Sequence, residues 1–517
     1  MKKKIRIAAL SLLVLVGWCD VNAQTVTLSP QNGAVGVCPD TRLRITFNDI
    51  PAVGSAGMIR ITDVATGMVV DSIDLSVPAG PTESRTYGKD CDYTKIPYDY
   101  ARTVMPTNRD TRPGTPSGTA EPTPPEYQLN IIGGFTDAFH FHPVIIHDKT
   151  ATICLHNNVL DYGRKYSVEI SGGAIRARKY KGTTRKQPWT FTTKEAPKFL
   201  KDTLVVDASG CGDYCTVQGA LDAVPDFSAR RTVIFVKAGD YEEIVYARNK
   251  TNVKIKGEGM ASTRVHYANN EVFNPHPLTV KTNEWPGTFP SRRAAFALDN
   301  CHDIILEDIT IATDLQGQAE GLLLNGERIA LYRVHVIGSG DALQANGTVY
   351  MECCELDGGG DTILGRGSLF AYRSHFRNGG GPFSWVRNTA GHHGDVFLEC
   401  TFSAPDGCKA DFGRTSTNKG TSYPDAEFVL INCFTHNIIP EGWSSIGLPT
   451  ARMLEYGTRD SHTRRLVDTS QRHPYSRQLN AKTDAALIKC YSTPVFVLKG
   501  WHPAGSSVPP QTNCAAE

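Results

Sequence analysis

The chain has 517 residues, enough for two or three domains with substantial cores. Its 54 basic and 53 acidic residues leave a net charge of +1, which gives no electrostatic basis for binding nucleic acid or an anionic membrane. Partners must therefore be argued from local sites.

Lys2, Lys3, Lys4 and Arg6 precede an apolar run from Ile7 to Trp18, and Val21-Asn22-Ala23 stands before Gln24. This pattern predicts a secretory signal over residues 1–23, so the mature protein is expected to be secreted or periplasmic. The run is too short to span a bilayer. Cys19 offers lipid anchoring as the alternative, although Trp18 is a poor residue before a lipidated cysteine. Of the 14 cysteines, those beyond Cys19 are odd in number, so at least one thiol stays unpaired even in an oxidising compartment. Cys211 and Cys215 are close enough to bridge across a loop. Cys301, Cys353, Cys400 and Cys433 fall at similar places in successive segments and are expected as buried thiols. No Cys/His grouping has zinc spacing, and no metal is expected.

From Thr25 the sequence TVTLSPQNGAVGVCPDTRLRITFND reads as short alternating strands divided by Pro, Gly and Asn turns. YGRKYSVEISGGAIRARKY and QPWTFTTKEAP close the same pattern, which predicts a β-sandwich over residues 24–196. The segment resembles the bacterial Ig-like modules that precede extracellular enzymes. Pro106 to Pro125 holds six prolines among Thr, Gly and Ser, an inserted loop. Nothing in this part reads as catalytic, and a spacer is the expected role.

Residues 197–202 are a linker, and a second domain is expected over 203–517. It opens with LVVDASGCGDYCTVQGALDAVPD, which predicts a strand, a turn and one short amphipathic helix around Val217 to Ala223. Strand patterns then recur at Asp303, Arg328, Thr348, Ser368, Asp395 and Glu427. A chain that returns to one strand pattern every twenty to thirty residues is most simply coiled into a parallel β-solenoid. The fold class expected is all-β, and helical periodicity is nearly absent after the opening helix.

Within the repeats stand Asp341 and Asp361, each preceded by glycine and twenty residues apart. Stacked coils would place them about one strand spacing apart, facing one groove. Two carboxylates that close cannot both ionise comfortably, so one keeps its proton and the other carries the charge. The ordinary reading of a single Asp in a Gly-rich turn is that it bonds turn amides. One-coil stacking of two such residues argues against it.

The ordered elements DYCTVQGALDAVP, GDYEE, Gln318-Ala319, GDAL at Asp341, GDTILG at Asp361, FGR at Arg414 and IIPEGW, with EYGT, RHPYSRQL and GWHP in the tail, resemble the pectin methylesterases. The resemblance covers about residues 203 to 503 and implies a right-handed parallel β-helix that removes methyl esters from galacturonate units of pectin without a cofactor. It implies Asp361 as nucleophile, Asp341 as general acid and base, Gln318 as oxyanion donor, and Arg414 as the group that orients Asp361 and keeps it ionised. Trp385, Gln344, Arg366 and His392 are the expected substrate contacts. Adjacent His392 and His393 would point to opposite faces of a strand and are unsuited to ligating one ion together.

Two positions depart from the family pattern. Gly340 stands where a glutamine usually precedes the first aspartate and donates to the oxyanion, a loss worth about 3 kcal/mol unless Gln344 or a backbone amide compensates. Thr415-Ser416 replaces the usual Pro-Trp, leaving Trp385 as another aromatic platform. The expected partner is a methyl-esterified pectic polysaccharide or oligosaccharide, acted on by a monomer. Gly340 motivates one rival reading, an esterase for another acyl group on the same glycan. The two departures together motivate another, a glycan-binding solenoid without turnover.

Overall fold

The computed structural model describes residues 26–80, 127–133, 139–183, 188–274, 292–416 and 423–510. The predicted signal over 1–23 and the proline-rich segment from Pro106 to Pro125 lie outside the described residues.

The first part folds as two facing sheets. One contains Thr27–Ser29, Leu43–Thr46, Thr150–Ile153 and Val144–His147; the other contains Ala34–Val37, Trp189–Thr193, Lys165–Ile170, Met58–Asp63 and Val69–Asp74. Pairing is antiparallel apart from Ala34–Val37 against Trp189–Thr193. Alternation decides which side chains turn inward: Ile59, Ile61, Tyr166, Val168, Ile170 and Phe191 are buried, while their sequence neighbours reach the surface or the sheet rim. Trp189 fills the same core, and its Nε1 donates to the Pro30 carbonyl at 2.9 Å.

From Thr203–Val206 to Ser476–Gln478 the described residues form one parallel assembly of 23 strands. Its coils have three faces. The first is built from Leu343–Ala345, Ile363–Gly365, Pro382–Val386 and Asp411–Arg414. The second is built from Thr348–Glu352, Ser368–Tyr372, Asp395–Leu398, Glu427–Ile431 and Arg452–Tyr456. The third is built from Glu355–Gly358, His375–Asn378, Thr401–Ser403 and Phe434–His436. Register keeps like residues in line, as in the inward ladder Leu331, Met351, Ala371, Phe397, Leu430.

A left-handed residue turns the corner between the second and third faces. Asp308, Arg333, Cys353, Arg373, Glu399 and Asn432, one per coil, have φ between 52° and 55° apart from Arg373 at 46°. This corner corrects one sequence expectation: Cys353 is exposed, and the residue after it, Cys354, points inward in line with Ser374, Cys400 and Cys433. Plain alternation misplaces the thiol by one because the left-handed residue resets the inward phase. Cys301, Cys400 and Cys433 are buried, as expected. The Cys211–Cys215 bridge is also corrected: both are unbridged, Cys211 faces solvent, and Cys215 turns toward Cys38 of the sandwich. Cys490 is disulfide-bonded.

Helix α1 (Val217–Ala223) lies where the sequence placed it and closes the solenoid's first end. Thr216 Oγ1 accepts from Gly219 N, while Glu243 of the GDYEE turn accepts from Val217 N and Gln218 N at 2.9 and 3.0 Å. Asp40 of the sandwich adds a third acceptor, taking the Cys215 and Thr216 amides at 2.8 Å each. Helices α2 (Ala485–Tyr491) and α3 (Pro494–Val497) were not anticipated from the sequence. Tyr491, Val497 and Leu498 cover the outward ladder Tyr350, Phe370, Val396, Val429 and Leu454 of the second face. The corresponding surface of the first face carries the aspartates.

Toward the far end the interior is aromatic. Phe402 meets the rings of Phe376, Phe383, Phe397, Phe412 and Phe428 with centroids 5.0 to 6.3 Å apart. Phe402→Ala is expected to cost about 3–5 kcal/mol, read as a lower denaturant midpoint of the solenoid transition.

Candidate active site

Leu343 and Gln344 pair in register with Ile363 and Leu364. Asp341 and Asp361 stand two positions before Leu343 and Ile363, so they occupy one place in consecutive coils. Backbone bonds on either side fix that relation: Gly360 N donates to Gly340 O at 2.7 Å, and Ala342 N donates to Thr362 O at 3.0 Å. Gly340 is part of this stack. A Cβ there would come within 2.9 Å of the Gly317 carbonyl, so a glutamine side chain at this position requires the preceding coil to shift.

The two aspartates have different surroundings. Arg414 reaches Asp361 with both arms of its fork, Nε to Oδ1 at 2.9 Å and Nη2 to Oδ2 at 2.6 Å. A fork-to-fork pair is the geometry in which a carboxylate meets a guanidinium. The strand pairings Leu364 with Trp385 and Trp385 with Arg414 bring this arginine to the groove from 53 residues away in sequence. Asp341 lies buried beside Arg293 and is pushed up to about 7, first by burial and then by the negative charges of Glu320 and Asp361, against the pull of Arg293 and Arg387. One coil thus holds a carboxyl group forked to a guanidinium, and its neighbour one that burial and nearby acids push up to about 7.

The remaining expected residues divide into those at this groove and those away from it. Gln318 lies on the preceding coil and is exposed, with its Oε1 accepting from Arg293 Nη1 at 2.6 Å. Gln344 is in the outward ladder Leu323, Gln344, Leu364, Trp385, Arg414, but it is buried and its Oε1 has no hydrogen-bond partner. Trp385 lies between two guanidinium groups, Arg387 at 4.3 Å and Arg414 at 4.4 Å from its ring. It therefore packs against the arginine that holds the nucleophile candidate. Arg366 stands 5.6 Å over the ring of Tyr423, which in turn meets Trp385 edge-on at 6.4 Å. His392 is not brought to the pair: its Nδ1 is 3.4 Å from Ser368 Oγ and its Nε2 3.0 Å from Lys499 Nζ, at the corner toward the helix-covered face.

Sequence reasoning missed Arg293, Glu320 and Arg387. Glu320 is two residues past Gln318, and a charge inside an otherwise apolar strand entry was the available signal. Arg293 gave none, because its contacts lie on other coils.

Cys38, Asp40 and Cys215 have ligand atoms within 4.8 Å of one another at the sandwich–solenoid junction. Asp40 is already bonded to the amides before helix α1, and Lys194 Nζ stands 3.3 Å from Cys38 Sγ, placing a cation in that group. It is remote from the aspartates in the fold.

Comparison with known proteins accords with this geometry. Residues 203–376 match the family described as Pectinesterase. Pectinesterase QRT1 of Arabidopsis thaliana is 29% identical over 292 residues, covering 54% of this chain and 74% of that protein. Among solved structures, carrot pectin methylesterase aligns with a TM-score of 0.47 and 22% identity over 59% of this chain and 95% of the carrot chain. Pectin methylesterase PemA from Erwinia chrysanthemi aligns with a TM-score of 0.47 and 18% identity over 60% of this chain and 99% of its own. The segment that carries both aspartates, residues 203–376, is thus the part of the chain that matches the pectinesterase family model.

Proposed function

We propose that the protein is a carboxylic ester hydrolase that removes methyl esters from galacturonate units of pectin or a related pectic glycan, releasing methanol and acidic polysaccharide. The observation that carries this reading is the pair itself: Asp361 forked to Arg414, one coil from the buried Asp341. Asp361 attacks the ester carbonyl to form an acyl-enzyme anhydride. The tetrahedral oxyanion is met by the Gln318 amide. Asp341 gives its proton to the departing methoxide and, as a carboxylate, then takes a proton from the water that attacks the acyl group. Hydrolysis returns Asp361 as a carboxylate and Asp341 as an acid, so one water is consumed per methanol. The residues present supply every proton and charge in this scheme, and it needs no cofactor. The N-terminal pattern read as a secretory signal supports work outside the cytoplasm, where a polysaccharide substrate is met.

The test is product analysis on pectins carrying both methyl and acetyl esters, and on defined methyl-esterified oligogalacturonides. Methanol release is expected, with kcat/KM falling as pH rises through about 7, because Asp341 loses the proton that the first step needs. Acetate release without methanol replaces this reading with that of an esterase for another acyl group. Binding without either product makes the solenoid a glycan-binding module.

A further inference from the structure

Arg293 donates from every side of its guanidinium. Nε lies 2.8 Å from both Glu320 oxygens, Nη2 is 2.6 Å from Glu320 Oε1 and 3.0 Å from Asp341 Oδ2, and Nη1 is 3.1 Å from Glu271 Oε2 and 2.6 Å from Gln318 Oε1. The guanidinium's five N–H groups are thereby all directed at acceptors. None is left for a substrate oxyanion, so Arg293 does not itself take the place of the side chain missing at Gly340. Its effect runs through the two groups it holds. An arginine only donates, so Gln318 must turn its carbonyl oxygen inward and its NH2 away, toward the open groove. Likewise Asp341 Oδ2 is the accepting oxygen, which leaves Oδ1 to carry the proton.

The charge count around this arginine matters as much as its geometry. Asp341 faces Arg293, Glu320, Asp361 and Arg387, with Arg414 beyond Asp361; Glu271 shares Arg293 from the other side. Glu320 is fully buried and accepts three of the contacts of Arg293, whose own side chain is 12% exposed. The Glu320 carboxylate offsets part of the pull that this guanidinium exerts on Asp341.

We propose that Arg293 and Glu320 form a positioning pair: Arg293 orients Asp341 and Gln318 for the ester, and Glu320 balances its charge so that Asp341 remains an acid. The pair compensates for Gly340 by fixing Gln318, the expected oxyanion donor. This inference rests on the ester-hydrolase reading above and adds to it the setting of the acid.

The experiment compares the full-length protein with Glu320→Gln and Arg293→Lys, following methanol release from methyl-esterified pectin against pH, with thermal unfolding alongside. Glu320→Gln frees the Arg293 charge for Asp341 and is expected to move the alkaline limb of kcat to lower pH by about one unit. Arg293→Lys, which lacks the fork needed to hold two groups at once, is expected to lower kcat about tenfold or more with KM nearly kept. A merely structural role predicts a lower melting temperature with the limb in place. A folded Glu320→Gln with an unmoved limb overturns the proposal. If that variant does not fold, Arg293→Lys decides, and wild-type kcat overturns it. Failure of the unmodified protein to release methanol sinks the parent reading instead, so the two failures are distinct.

Discussion

Asp361→Asn is expected to abolish methanol release, lowering kcat by about 10⁴-fold or more while leaving the fold and glycan binding in place. Asparagine keeps the size and the Oδ1 acceptor, but it lacks the nucleophilic oxygen and the charge that Arg414 now meets with two bonds of 2.9 and 2.6 Å. The side chain is at the groove surface of the first face, and the backbone bonds that stack this coil involve Gly360 and Thr362 rather than the aspartate side chain. Loss of turnover with an unchanged unfolding transition and retained pectin binding checks the assignment. Wild-type turnover from a homogeneous Asp361→Asn preparation excludes this aspartate as the nucleophile.

Asp341→Asn is expected to cost about 10²–10⁴-fold, the range of a positioned general acid and base. The more specific expectation concerns pH. Burial and the neighbouring Glu320 and Asp361 push Asp341 up to about 7, so its acid form decreases as pH rises through that value. In the variant this titrating group is gone, and the alkaline limb of the residual activity should disappear. The stability sign agrees. A carboxyl whose pKa is raised on folding favours the native state below its unfolded pKa, and that contribution is lost as pH rises through its folded value. Asp341→Asn should therefore reduce the loss of stability on passing upward through about pH 7. Unfolding of both proteins at two pH values checks this independently of catalysis.

The solenoid was legible because its repeats carry their own register. Twenty residues separate Thr348 from Ser368, and the structure pairs those two residues directly. The same regularity made Asp341 and Asp361 neighbours before any coordinates were considered. Arg414 was a different matter: its contact spans 53 residues, and its role came from family resemblance rather than spacing. Arg293 stayed hidden for a related reason, since it meets Glu320 and Asp341 across loops whose lengths vary from coil to coil. Trp385 was legible as an aromatic at the groove, while its packing against Arg414 depended on rung-to-rung pairing. His392 shows the limit of local reading. A corner carries it away from the aspartates toward Lys499, and only the placement of the C-terminal helices brings that lysine there.

The cysteines teach the same lesson at single-residue scale. Cys353 and Cys354 are adjacent and chemically identical, yet the left-handed φ of 54° at Cys353 leaves it outside and turns Cys354 into the core. Composition does not encode that phase; the corner does.

Neutron crystallography of the deuterium-exchanged protein, at a pH well below the value to which Asp341 is pushed, tests the opposite protonation of the two aspartates most directly. The expected map has deuterium on Asp341 Oδ1 and none on Asp361, whose two oxygens accept from the N–D groups of Arg414. A bare Asp341, or a deuterium bound to Asp361, contradicts the assignment of acid and nucleophile.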